Sequence, residues 1–245
     1  MFGVKKVAMI VAEFMGTAIL TLAVLSVRSS GIGYSFFVAL GAGLTVAALS
    51  FILSENSGAH FNPALTIGLW TARKVQTLPA IVYIVVQLLG AWAAFWLFKY
   101  FTKNHLPATG GHYMSRVMVA EAIGTFVFAV GWAAAAAQNF TGIRRAATQG
   151  GAFTVAIIIA SMAVVGSGVG FANPALALGS HAWNIWGSLG WGTYALGPIA
   201  GAIIGVNLYN YVLSPVIGAT MSSTAAVKVS STTTSSKSRS SKKKR

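Results

Sequence analysis

Six stretches of this chain are long and apolar enough to cross a bilayer, and they constrain its fold more than any other feature. They run over roughly 7–27, 34–53, 78–101, 117–137, 151–165 with its flanks, and 191–213. A hydrocarbon core about 30 Å thick takes about 20 residues of helix. No water reaches the backbone there, so every N–H and C=O must pair internally, and only helices or closed barrels qualify. Runs of this length predict helices. Charged residues make up only 8% of the 245, against 56% hydrophobic, whereas a soluble domain carries about 25% charged residues. The expected class is an all-α, multi-pass integral membrane protein. The first span is too long for a cleaved signal peptide, and Glu13 inside it argues against one.

Two further apolar pieces, 62–70 and 173–179, are too short to cross. Each begins Asn-Pro-Ala-Leu and follows a glycine-containing segment: Ser57-Gly58-Ala59-His60-Phe61 in one case, Gly168-Val169-Gly170-Phe171-Ala172 in the other. Asparagine is a good N-cap, and proline is well placed at the first helical position. Both pieces therefore read as half-helices that begin inside the membrane.

The chain also repeats itself. Glu13-Phe14-Met15-Gly16-Thr17 returns 108 residues later as Glu121-Ala122-Ile123-Gly124-Thr125. Asn62-Pro63-Ala64-Leu65 returns 111 residues later as Asn173-Pro174-Ala175-Leu176, and Gly90-Ala91 returns at the same offset as Gly201-Ala202. Three correspondences in one order read as two homologous halves, about 5–103 and 115–214, within a unit of 1–218. Each half has three spans, an odd number, so the second should be inverted relative to the first. Inverted repeats with broken helices place their site near the midplane. The two asparagine caps are expected to meet there.

The paired Asn-Pro-Ala boxes, the Ser57-to-Ala64 run, the two Glu-x-x-Gly-Thr boxes and the Gly197-Pro198 opening of the last span together resemble the aquaporin (major intrinsic protein) family, over about residues 5–215. The resemblance implies six transmembrane helices, two re-entrant half-helices and a homotetramer. It implies water or small neutral solutes such as glycerol as permeants, and no cofactor. By the same resemblance Glu13 and Glu121 accept hydrogen bonds from the re-entrant loops and brace them; a proton relay is the competing reading.

Physical reasoning supports a pore. A helix N-terminus carries roughly half a positive charge, and two such ends facing each other form a barrier to cations. Read alone, Asn62 and Asn173 are helix caps worth about 1 kcal/mol each. As a symmetric pair, with Pro63, Ala64, Pro174 and Ala175, they read as the midpoint of a pore, offering N–H donors to a solute. The carbonyls of Gly58, Ala59, His60, Gly168, Val169 and Gly170 are candidate acceptor ladders, because such backbone survives in a membrane only where protein or a wet cavity lines it. For His60 two readings stand, a packed histidine or a pore-lining one.

The chain departs from the family where selectivity is set. Most members carry arginine directly after the second box, and Leu176 stands there. Ala42 occupies a place where the resemblance implies a large aromatic, and Ser161 and Gly170 complete the constriction candidates, with Ala160 and Val169 as the shifted alternative. A wider, more apolar constriction is expected unless Phe36, Phe171 or Trp183 fills it. That leaves glycerol, other small neutral solutes and gases open beside water.

Charge distribution separates a tail from the rest. The net charge is +14, but seven of the seventeen basic residues lie in the last eighteen positions. The segment 219–245 lacks aromatics and periodicity and is expected to be a disordered basic tail, so the excess does not indicate nucleic acid. Its Lys242-Lys243-Lys244-Arg245 end could meet anionic lipid, or resembles an endoplasmic-reticulum retrieval signal if the source is eukaryotic. The expected location is the cell membrane with both termini cytoplasmic, which puts 13 basic residues inside and 4 outside, Arg28 among the latter. Glu55 reads as a surface charge. Cysteine and aspartate are absent, and no nucleophile has a base at a recognisable spacing, which argues against an enzyme. A secondary transporter and a non-conducting structural protein are the alternatives.

Overall fold

The structure is a computed structural model that describes residues 4–30, 32, 34–103, 113–164, 169–180 and 190–214. Gly168, Trp183 and the 219–245 tail lie outside the described residues. Among those described are α1 (Val4–Ser29), α2 (Ser35–Ser57), α3 (Pro63–Thr71), α4 (Thr77–Thr102), α5 (Ser115–Ala137), α6 (Gly142–Ser161), α7 (Pro174–Gly179) and α8 (Gly192–Leu213). The turns at Gly192–Leu196 and Tyr209–Leu213, at the two ends of α8, are wound as π-helix.

Five of these helices, α1, α2, α4, α5 and α8, are long and apolar enough to cross a membrane. The sixth span differs from the sequence expectation of 151–165. Helix α6 starts at Gly142 and ends at Ser161, 20 residues in all, about 30 Å of helix. Arg144, Arg145 and Gln149 occupy its first turns. They dilute the apolar signal and hide the true start.

The packing repeats between the halves. Helix α1 lies on α4 as α5 lies on α8, and α1 lies on α2 as α5 lies on α6. Half-helix α3 packs on α8 while α7 packs on α4, so each is held by the last span of the other half. Helices α2 and α6 meet at Gly43 and Gly150, where a Cβ on either would strike the other's carbonyl. Gly90 sits against the Phe14 carbonyl, and Gly201 in the corresponding place against the Ala122 carbonyl. Small residues allow this approach, and the reward is dispersion contact that lipid cannot supply.

Outward-facing side chains are apolar too: Leu44, Trp92, Trp96, Ile204 and Phe101 are each more than half exposed. An apolar surface this extensive fits lipid rather than water. Glu55 is an exposed charge, 3.5 Å from Arg145 across the α2–α6 contact.

Candidate functional site

Both half-helices begin the same way. Asn62 Oδ1 accepts from the N–H of Ala64 at 2.9 Å and of Leu65 at 3.4 Å. Asn173 Oδ1 accepts from Ala175 at 3.0 Å and Leu176 at 3.4 Å. Proline follows each cap, so each helix opens with one fewer orphan donor. The residues just before the caps, Phe61 and Ala172, both have φ of 49°, a left-handed conformation costing about 1–2 kcal/mol in a non-glycine residue. Tertiary bonds must hold them there.

Those bonds come from the two glutamates. Glu13 accepts from the N–H of His60 at 3.0 Å and of Phe61 at 2.8 Å. Glu121 accepts from Phe171 at 2.8 Å and Ala172 at 2.6 Å. His60 and Phe61 correspond to Phe171 and Ala172 at the 111-residue offset, so each carboxylate spans the same two amides of its own half. Both glutamates are completely buried.

The halves differ around this brace. Glu13 also accepts from the Ser57 hydroxyl at 2.6 Å and Gln87 Nε2 at 2.7 Å, and Gln87 and Thr66 are bonded to each other. At the 111-residue offset Ser57, Thr66 and Gln87 become Gly168, Ala177 and Pro198, none of which has a side-chain donor. Sequence reasoning did not single out Gln87 or Thr66. The available signal was an amide in the middle of an apolar span, which demands a partner.

Across the two halves the caps are reciprocal. Asn62 Nδ2 donates to the Ala172 carbonyl and Asn173 Nδ2 to the Phe61 carbonyl, both at 2.9 Å. The site residues expected to meet are thus brought together, with Pro63, Ala64, Pro174 and Ala175 buried around them.

Elsewhere the loops are more occupied than their sequence suggests. The Ala59 carbonyl accepts from the Trp132 indole at 3.4 Å, and Gly58 has φ of 90°. Gly170 donates its N–H to the Ser161 hydroxyl at 2.9 Å, which itself donates to the Ile157 carbonyl. A Cβ on Gly170 would strike Ala160. Val169, Ala42 and Leu176 are buried in the main hydrophobic cluster. Ser161 and Gly170 therefore bind each other, and Leu176 packs rather than leaving a gap. Of the three aromatics considered as fillers, Phe171 is completely buried, whereas Phe36 is 58% exposed on the outer surface. His60 is packed, its Nδ1 3.2 Å from the Thr66 hydroxyl and its ring edge-on to Tyr83 and Trp132.

Comparison with known proteins places this geometry. The profile of the family described as major intrinsic protein matches residues 3–226. Aquaporin AqpM of Methanothermobacter thermautotrophicus is 28% identical over 200 residues, covering 75% of this chain and 79% of that protein. The probable aquaporin AqpM of Archaeoglobus fulgidus is 32% identical over 201 residues, covering 74% and 78%. The X-ray structure of the aquaglyceroporin from Plasmodium falciparum aligns with a TM-score of 0.71 at 22% identity, over 86% of this chain and 98% of that one.

A helical bundle whose two broken helices meet cap to cap is the architecture of a multi-pass membrane channel. The chain belongs to the major intrinsic protein family. It is a channel of that family and not an enzyme.

Proposed function

We propose that this chain is a passive channel for water and small uncharged solutes such as glycerol, and that it excludes ions and protons where Asn62 and Asn173 meet. The supporting observation is their reciprocal pairing, which sets two half-helix N-termini against each other. Each carboxamide has two N–H donors. One is spent on the opposite loop's carbonyl, and the other serves the oxygen of a passing solute. A water accepting at this point is oriented by two donors and two positive helix ends, which break a proton-conducting chain and repel cations.

In this reading the Gly58–Ala59–His60 and Val169–Gly170 backbones line the two half-channels. Glu13 and Glu121 brace them rather than relay protons, because each carboxylate is committed to backbone amides. Ala42, Ser161, Gly170 and Leu176 shape the constriction from behind. The relatives are named aquaporins and the structural relative an aquaglyceroporin, so glycerol is tested beside water. Both termini lie in the cytoplasm, the protein sits in the cell membrane, and four copies assemble, each with its own pore.

Stopped-flow swelling of proteoliposomes in water, glycerol and urea gradients tests the reading. Flux linear in the gradient is expected. Saturable uptake coupled to an ion gradient would indicate a secondary transporter, and absence of flux a non-conducting protein.

A further inference from the structure

Each side of the paired caps carries a cluster of three side chains, and two of the three members correspond position by position. On one side the His60 ring lies edge-on to Tyr83 of α4 and Trp132 of α5, with centroids 5.3 Å away in both cases. On the other, the Phe171 ring lies edge-on to Tyr194 of α8 at 5.7 Å. His60 and Phe171 stand two residues before their capping asparagines, and Tyr83 and Tyr194 are related by the same 111-residue offset. The third member comes in each case from the first long helix of the opposite half. For His60 it is Trp132; for Phe171 it is Arg28 of α1, whose guanidinium carbon lies 5.5 Å from the ring centroid.

Trp132 corresponds to Val24 at the 108-residue offset, and Arg28 is one helical turn further on. Helical side chains lean toward the N-terminus and cover the turn before their own Cα. A long arginine can thus reach back to the place the indole fills on the other side. Flat guanidinium groups suit aromatic faces. Arg28, one of the four basic residues placed on the outer side in the charge count, lies in the last turn of α1, half-buried, with Nη1 shielded from solvent.

We propose that Arg28 supplies the fixed positive charge on the Phe171 side of the pore and is a specificity-determining residue of the channel. The inference rests on the channel reading above. The position after the second Asn-Pro-Ala box brings no charge, because Leu176 is apolar and buried. Among the other described cations with ring contacts, Lys99 lies over Phe95 and Trp96 of its own helix and Arg144 over Phe140, none of them in a pore loop. Phe171 is a firm platform, since its own N–H is tied to Glu121 and its ring is completely buried. A charge held beside the loop in a low-dielectric surround raises the cost of a cation far more than it would in water. Its fork of N–H donors adds hydrogen-bonding specificity for neutral oxygen-bearing solutes.

The test uses the full chain in proteoliposomes, with water swelling and potassium leak measured together. The chain has no cysteine, so Arg28→Cys provides a single addressable thiol. Wild type should conduct water without leak, Arg28→Lys should remain close to it, and Arg28→Gln should leak potassium at least about tenfold faster. Arg28→Cys should leak until a cationic ethylammonium methanethiosulfonate restores exclusion, while the neutral methyl reagent should not restore it. If Arg28→Gln fails to fold, the lysine and cysteine variants carry the test. A folded, water-conducting Arg28→Gln or Arg28→Cys with wild-type leak would overturn the inference alone, as would equal effects of the two reagents. An impermeable wild type would overturn the channel reading, and this inference with it.

Discussion

Asn62 and Asn173 each donate to the backbone carbonyl just before the other, Asn62 to Ala172 and Asn173 to Phe61. One side chain thereby caps its own half-helix and clamps the opposite loop. Asn173→Ala should lose the cap, about 1 kcal/mol, and leave the Phe61 carbonyl unpaired, a further 1–3 kcal/mol or so. The two alanine variants and their double form a thermodynamic cycle, measured by thermal unfolding in detergent. A coupling of about 0.5–3 kcal/mol is expected for residues in one network. Additive losses would mean that the caps act independently.

The three acidic residues should rank steeply. Among the described residues Glu13 receives four donors and Glu121 two, while the exposed Glu55 meets Arg145 at the surface. Glu13→Gln turns an NH2 toward donors and should destabilise most, by about 3 kcal/mol or more. Glu121→Gln should cost less, and Glu55→Gln under about 1 kcal/mol. The melting temperatures of the three variants check the order. A Glu13→Gln protein of normal stability that loses a proton leak present in wild type would instead support a relay.

Substitutions at three glycines should separate close approach from mere helix position. Gly90→Ala and Gly201→Ala press a methyl onto the Phe14 and Ala122 carbonyls, whereas a Cβ on Gly151 meets nothing within 4 Å. The first two should destabilise by about 1–3 kcal/mol. Gly151→Ala should be neutral or stabilise by up to about 1 kcal/mol through helix propensity. Detergent melting curves of all three decide it.

Ser161→Ala should strand the Gly170 N–H, which the hydroxyl now accepts. A buried donor without a partner costs about 1–3 kcal/mol. The variant should melt earlier and conduct water more slowly, because the second pore loop loses one of its ties. Unchanged flux and unchanged melting together would show that this tie is dispensable.

Much of this arrangement was legible in the sequence because it is local or repeated. Span length and apolarity announced α1, α2, α4, α5 and α8, and Asn-Pro marked both half-helix starts to the residue. The start of α6 was obscured by Arg144, Arg145 and Gln149, a polar opening that periodicity reads as loop. Ser161 and Gly170 are constriction candidates by position, and their bond to each other was not legible in the sequence. The partners of Gln87 and Arg28 were not legible, because an isolated polar residue in or beside an apolar run names none.

The sequence by itself determined the helices, the caps and the twofold correspondence, since these depend on residue types at short spacing or on the same residues recurring. The tertiary structure decided which groups complete each other. The Asn62–Ala172 bond joins residues 110 apart, and the Arg28–Phe171 contact joins helix α1 to a loop of the other half. Such pairings follow from how helices pack through their small residues, and helix packing depends on the shape of the whole bundle rather than on any one segment.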